Sequence, residues 1–235
     1  MTRLLLILSL FTCSTLSFAY SVQPMVSEIS PSGSNSQLMM KVENTSTEPL
    51  ELQIDPYHLQ FNENQTEELV EAYDDILVIP PTVTVQPGQF QSILVRYIGD
   101  PSILTSKSYR VVFDQAEVQN NADKGQSSIK MKYQFLTLLN VKPANSSPDI
   151  KHERTYTDNG KWFLELTNNG TSYARLSRME WKVGSPGSLL AISANDIRSH
   201  VSGNLLLPQQ TRSFEFIPFD GIEPQAMAVQ ITESK

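Results

Sequence analysis

The sequence predicts an all-β chain folded as two β-sandwich domains, and three observations carry that expectation. Short runs rich in β-branched and aromatic residues recur between turn residues: QLMMKVEN, SILVRYIG and YRVVFDQ early in the chain, WFLELTNNG and RSFEFIPFD later. A proline-bounded polar stretch at residues 143–148, PANSSP, divides the earlier runs from the later ones. The length of 235 residues fits one large domain or two of about 100 residues, each able to bury a core without covalent staples.

The chain begins MTRLLLILSLFTCSTLSFA, with one positive charge at Arg3, an apolar core from Leu4 to Phe11 and Ser17-Phe18-Ala19 as a small-x-small site. Residues 1–19 therefore read as a secretory signal peptide cleaved after Ala19. The apolar core is too short to span a bilayer, and no later segment approaches a spanning length, so stable membrane insertion is not expected. The only cysteine, Cys13, lies inside the leader. Its removal leaves no thiol for a disulfide, a metal or nucleophilic chemistry. Acylation at Cys13 is the competing reading, and Thr12 is a poor residue ahead of such a cysteine. With Arg3 gone, 17 basic side chains face 25 acidic ones, a net charge of −8 that argues against a nucleic-acid partner.

The first domain is assigned to residues 20–143. Within it, TEELVEAY at residues 66–73 has the composition of two helical turns, but Pro80 and Pro81 limit anything longer, so a loop excursion is expected. Pro80-Pro81, five residues and then Pro87-Gly88 read as an edge strand, a tight turn and a following strand. At residues 127–143, Ile129, Met131, Tyr133, Phe135, Thr137, Leu139 and Val141 fall on alternate positions and predict one long strand. The other parity starts polar at Lys130, Lys132 and Gln134 and becomes apolar at Leu136 and Leu138. An apolar row beside unpaired backbone groups is a template for an added strand. The ordinary alternative is that these side chains face the domain's own core. The second domain is assigned to residues 144–235.

Enzyme chemistry finds little support. His58, His152 and His200 are far apart and form no two-histidine metal motif. Ser199 and Ser202 flank His200, with Asp196 four residues before it, but no nucleophile elbow is present. Glu67, Glu68, Glu71, Asp74 and Asp75 fit no calcium loop and read as a solvated acidic face. No enzyme activity, metal or cofactor is expected.

Taken together, the leader, the doubled sandwich pattern, the Pro-Pro to Pro-Gly run and the long strand before the linker resemble the periplasmic chaperones of chaperone-usher pilus assembly, the PapD-like family. The strand at Arg110 is closer to the alternative and common-pilus branches. The resemblance spans the mature chain. It implies two immunoglobulin-like sandwiches in a boomerang arrangement, a periplasmic location, and capture of fimbrial or pilin subunits for delivery to an outer-membrane usher, as a monomer or one-to-one complex. It also implies that Ile129, Met131, Tyr133 and Phe135 are the donor residues that enter the subunit's open groove. The family's basic pair for the subunit's C-terminal carboxylate falls here on Glu28 and Leu138, which cannot bind a carboxylate. Arg110 is the candidate substitute, with an ion pair to Asp114 or another acid as the alternative. Lys142 and Asp220 occupy positions similar to the family's interdomain ion pair, with two unrelated solvated charges as the alternative. The runner-up function is an exported immunoglobulin-like structural or adhesive protein that pairs with its own kind.

Overall fold

The computed structural model describes residues 20–116 and 133–233. Ile129 and Met131 lie outside the described residues. The opening segment is split at Pro24, which lacks the N–H that a continuous ladder needs. Its first half, β1 (Tyr20–Gln23), pairs antiparallel with β3 (Gln37–Asn44); its second half, β2 (Val26–Ile29), crosses to the opposite sheet and pairs parallel with β10 (Gln134–Val141). The first sheet runs β1-β3-β8-β6, with β8 at Phe90–Tyr97 and β6 at Ile76–Ile79. The second runs β2-β10-β9-β4-β5, with β4 at Leu50–Phe61, β5 at Glu67–Glu71 and β9 at Lys107–Gln115; β7 (Thr82–Val85) also lies along β4.

Period two decides what enters the core. Leu52 and Ile54 of β4, Ile93 and Val95 of β8, Tyr109, Val111 and Phe113 of β9, and Leu139 and Val141 of β10 close the first core between the sheets. The Pro87-Gly88 turn is present between β7 and β8, and Gly88 takes φ +69°, a left-handed conformation that glycine adopts without steric cost.

The second sandwich has β12 (Lys161–Asn168) between β11 (Ile150–Asp158) and β17 (Gln210–Phe216). Facing it, β14 (Met179–Ser185) lies between β15 (Ser188–Ile192) and β18 (Ala228–Glu233), with a short pair from β13 (Ala174–Arg175) and β16 (Leu205–Leu206). Trp181 is sealed in this core, and its indole N–H donates to Leu176 O at 2.8 Å. One short helix, α1 (Ala194–His200), was not expected; Ser193 caps it by accepting from Asp196 N, a local signal inside SANDIR.

The two sandwiches repeat one polar device. Asn44 at the end of β3 is fully buried, donates to Glu48 O and Val85 O, and accepts from Ser46 N. Asn168 at the end of β12 is also fully buried, donates to Ser172 O and Leu206 O, and accepts from Gly170 N. Each amide ties a turn to a strand across the sandwich. Asn168→Ala is expected to cost about 2 to 4 kcal/mol, because several buried backbone groups lose their partner at once; urea unfolding measures it.

Most of residues 66–73 is strand rather than a loop excursion or helical turns. Residues 67–71 form β5, an antiparallel hairpin with the far end of β4. The twelve-residue β4 extends past the sandwich, so residues 57–61 require a partner ladder, and the charges of EELVE suit an outer edge. That hairpin reaches the second sandwich. Leu59 and Leu138 meet Leu205 in a small apolar cluster, with Phe61, Leu69, Tyr173 and Leu207 around it. A backbone bond from Ser106 N to Thr171 O at 2.9 Å crosses the seam, and the 171–172 turn is in turn tied to the linker by bonds from Thr171 N and Ser172 N to Ser147 O. Gly170 permits that approach, since a Cβ there would lie 2.3 Å from Ser147 O.

Candidate partner-binding edge and interdomain cleft

β10 pairs with β9 along its whole length, from Gln134↔Asp114 to Val141↔Lys107, but β2 covers its other side only from Leu138 to Val141. Leu138 N donates outward to Met25 O, so in an antiparallel ladder with β9 the even positions point to that outer side. The N–H and C=O of Gln134 and Leu136 therefore face an edge that no strand covers among the described residues. This is a four-residue opening along β10, whose remaining positions are paired on both sides.

The side chains along it differ from the expectation in one respect. Tyr133 is 44% exposed, with its ring edge-on to Tyr20 at 6.4 Å. Phe135 instead packs partly buried against the first core, 4.6 Å from the Tyr20 ring. Counted as a donor position from its parity, Phe135 turns inward because β1 ends beside it and Tyr20 supplies a wall. The Tyr20 hydroxyl donates to Tyr133 O at 3.1 Å, and burial, then the nearby Asp114 charge, push its phenol up to about 12. The core thus ends at Tyr20 and Phe135, and the strand leaves it at Tyr133.

The opposite face of the same sheet fronts the second sandwich. Val26, Leu138, Arg110, Tyr57 and Glu71 are successive cross-strand partners and share that face. Arg110 is closed by a two-point fork: its Nε donates to Glu67 Oε2 at 3.1 Å and its Nη2 to Glu67 Oε1. Arg110 is thus ion-paired to Glu67 in this structure. The acidic stretch is not a uniform solvated face, because Asp75 is also engaged, accepting from Tyr109 Oη at 2.6 Å and Lys107 Nζ at 3.0 Å.

Beside Arg110 lies a cavity of about 310 Å³ between the sandwiches, lined also by Glu67, Gln65, Arg175, Leu205 and Arg212. Arg212 sits between two rings, 3.6 Å over Phe61 of the first sandwich and 5.0 Å over Phe214 of the second. Its Nη1 donates to Leu205 O at 2.6 Å, while its Nε is buried without a hydrogen-bond partner. Burial holds the Arg212 guanidinium below its usual range. Arg175 has no ion pair among the described residues, and burial, then the repulsion of Arg178, lower it as well. Two desolvated guanidinium groups with one acid between three arginines create a local demand for negative charge on an acidic protein. The sequence reading missed both. RSFEFI reads simply as a strand, and only the hairpin arriving from some 150 residues away places Phe61 over Arg212.

Glu28 accepts from Tyr173 Oη at 2.6 Å across the seam, and Leu138 is buried in the interdomain cluster. Burial, then this bond to Glu28, push the Tyr173 phenol upward. Lys142 pairs with Glu233 of β18 at 3.5 Å rather than with Asp220. The last strand runs past the linker, whereas the exposed Asp220 lies in the turn after β17. Glu233 is half-exposed, so the pair contributes about 0 to 1 kcal/mol and acts on orientation.

The His58 ring lies tilted against Tyr109, with the ring centres 5.4 Å apart. Burial, then the charge of Lys107, push its pKa down, against a smaller opposing effect of Asp75. His152 is lowered too, mainly by burial. Burial alone would raise Asp75, but hydrogen bonds from Tyr109 and Lys107 more than offset it, leaving it below the carboxylate range. The unfolded chain therefore takes up protons first as pH falls through the ordinary imidazole value of 6.5, and stability declines below that point. Loss of the Asp75 contribution begins only near pH 4, close to its ordinary value of 3.8. His58→Gln is expected to flatten the dependence between about pH 6.5 and 4 without reversing it, in urea midpoints taken across that window.

Among the described residues no group of three or more His, Cys, Asp or Glu is placed to hold a metal, and no helix is long and apolar enough to cross a membrane. No family model and no curated protein sequence matches the chain. Solved structures do match. The class 5 fimbriae chaperone CfaA is 15% identical over 92% of this chain and 100% of that one, with a TM-score of 0.57. The Escherichia coli chaperone DraB is 14% identical over 93% and 96%, with a TM-score of 0.55. A chain of the Salmonella enterica SafA pilin–SafB chaperone complex is 12% identical over 86% of each, with a TM-score of 0.57. At these identities the likeness is one of architecture, and the chain has the fold of the fimbrial chaperones: two immunoglobulin-like sandwiches joined as a boomerang.

Proposed function

We propose that this protein is a periplasmic chaperone that captures newly exported fimbrial subunits by strand addition at β10 and passes them to an outer-membrane usher. The observation that carries the reading is the open edge at residues 134–137, set in a sheet whose other β10 positions are covered. A subunit lacking its final strand would take Gln134 and Leu136 into its own ladder. Tyr133, together with Met131 and Ile129 at the same parity in the sequence, would fill its groove. Burial of three such side chains is worth roughly 5 to 9 kcal/mol at about 1.5 to 3 each, before the cost of association. That range suits a complex that is stable yet releasable.

The cleft at Arg110, Arg175 and Arg212 lies between the face of that sheet carrying Arg110 and the second sandwich, and would take the subunit's C-terminal carboxylate, in place of the basic pair replaced by Glu28 and Leu138. The periplasmic assignment rests on the leader at residues 1–19. Co-expression with a candidate subunit provides the test: the subunit should survive in the periplasm and co-purify one-to-one. Degradation of the subunit despite abundant chaperone, or self-polymerisation of the chain, would contradict the reading.

A further inference from the structure

We propose that Glu67 is a resident carboxylate of the interdomain cleft, occupying Arg110 in the free protein and displaced by an incoming carboxylate. The inference rests on the cleft being a carboxylate site. Glu67 meets Arg110 through two parallel bonds, the fork geometry that a chain-terminal carboxylate would itself adopt. Among the described residues it is the only acid lining a cavity with three arginines.

Two features make the occupancy reversible. The Glu67 side chain is 37% exposed against 17% for Arg110, so the acid lies on the solvent side and can leave by rotamer change alone. The hairpin carrying it is held independently. Gln65, in a left-handed conformation at the tip, accepts from Ser213 N at 2.8 Å, and Phe61 stacks on Arg212. Removing the Glu67 charge therefore leaves the β4–β5 strut in place.

The consequence is selectivity by tethering. A free small anion must compete with a carboxylate already in position and gains little. The terminus of a chain paired to β10 arrives at high effective concentration and displaces Glu67 without any stronger contact. Arg110 is thus screened from the ordinary anions of its surroundings but open to a docked partner.

The test uses acetate as the carboxylate probe and acetamide as its neutral counterpart, titrated into the full chain while the arginine Nε–H resonances are followed. In Glu67→Gln, which keeps a hydrogen-bonding side chain without the charge, acetate is expected to bind roughly fivefold tighter than in the parent, the scale of a half-exposed ion pair. Acetamide should move nothing in either protein. Adding Arg110→Met should abolish the gain, with a melting temperature matching that of Glu67→Gln showing that the fold persists. Equal acetate affinity in parent and Glu67→Gln would overturn the resident-carboxylate assignment while leaving the cleft as an anion site. Silence of the arginine resonances in both would overturn the assignment together with the carboxylate reading of the cleft.

Discussion

Replacing Met131 and Tyr133 together by aspartate is expected to abolish recovery of a co-expressed subunit. Each apolar side chain entering a groove contributes about 1.5 to 3 kcal/mol. Losing two costs roughly 3 to 6 kcal/mol, about two to four decades in affinity, and the buried charges add to that loss. The free protein itself should be little affected. Tyr133 lies beyond Phe135 and Tyr20, where the first core ends, and nearly half its surface is in water. Phe135→Ala should behave in the opposite way, lowering the stability of the free protein because its ring packs on Tyr20. The two outcomes separate side chains lent outward from side chains used at home. Pull-down yield and thermal melting of both variants measure the difference.

Leu59→Asp is expected to uncouple the sandwiches. Leu59 is fully buried at the seam among Leu138, Leu69 and Leu205, and an ionised carboxylate there costs about 3 to 5 kcal/mol through lost packing and desolvation. Both tryptophans, Trp162 and Trp181, belong to the second sandwich, so their fluorescence follows that half alone, while circular dichroism follows both. The parent should unfold with coincident curves. In Leu59→Asp the dichroism should begin to fall at lower denaturant than the fluorescence, the signature of a first sandwich melting by itself. Subunit capture should weaken as well, because Arg175 and Arg212 reach the cleft only while the halves are docked.

Much of the fold was legible because a strand's period is local. Residues 134–141 are a strand in the expected register, and Pro87-Gly88 makes its turn. What escaped was decided by partners distant in sequence. EELVE has the composition of a helix or loop, yet the overlong β4 supplies a ladder that fixes it as a strand. Asp75 reads as solvated among other acids, but Lys107 and Tyr109, more than thirty residues on, both donate to it. Arg110, a lone cation in an apolar strand, signals a partner in the sequence itself; its acid is Glu67, brought by a hairpin whose composition reads as a loop. Arg175 and Arg212 carried no local signal, since each gains its meaning from the other sandwich. Lys142 found its partner in β18 because the final strand, not the turn at Asp220, passes the linker.

The central claim is that the uncovered length of β10 accepts a strand from another chain. Amide hydrogen exchange of Gln134 and Leu136, measured with and without a bound fimbrial subunit, addresses it directly. Both N–H groups should exchange rapidly in the free protein and become strongly protected in the complex, while those of Leu138 and Asn140, already paired or covered by β2, change little. Rapid exchange at Gln134 and Leu136 in a saturated complex would show that the subunit binds elsewhere.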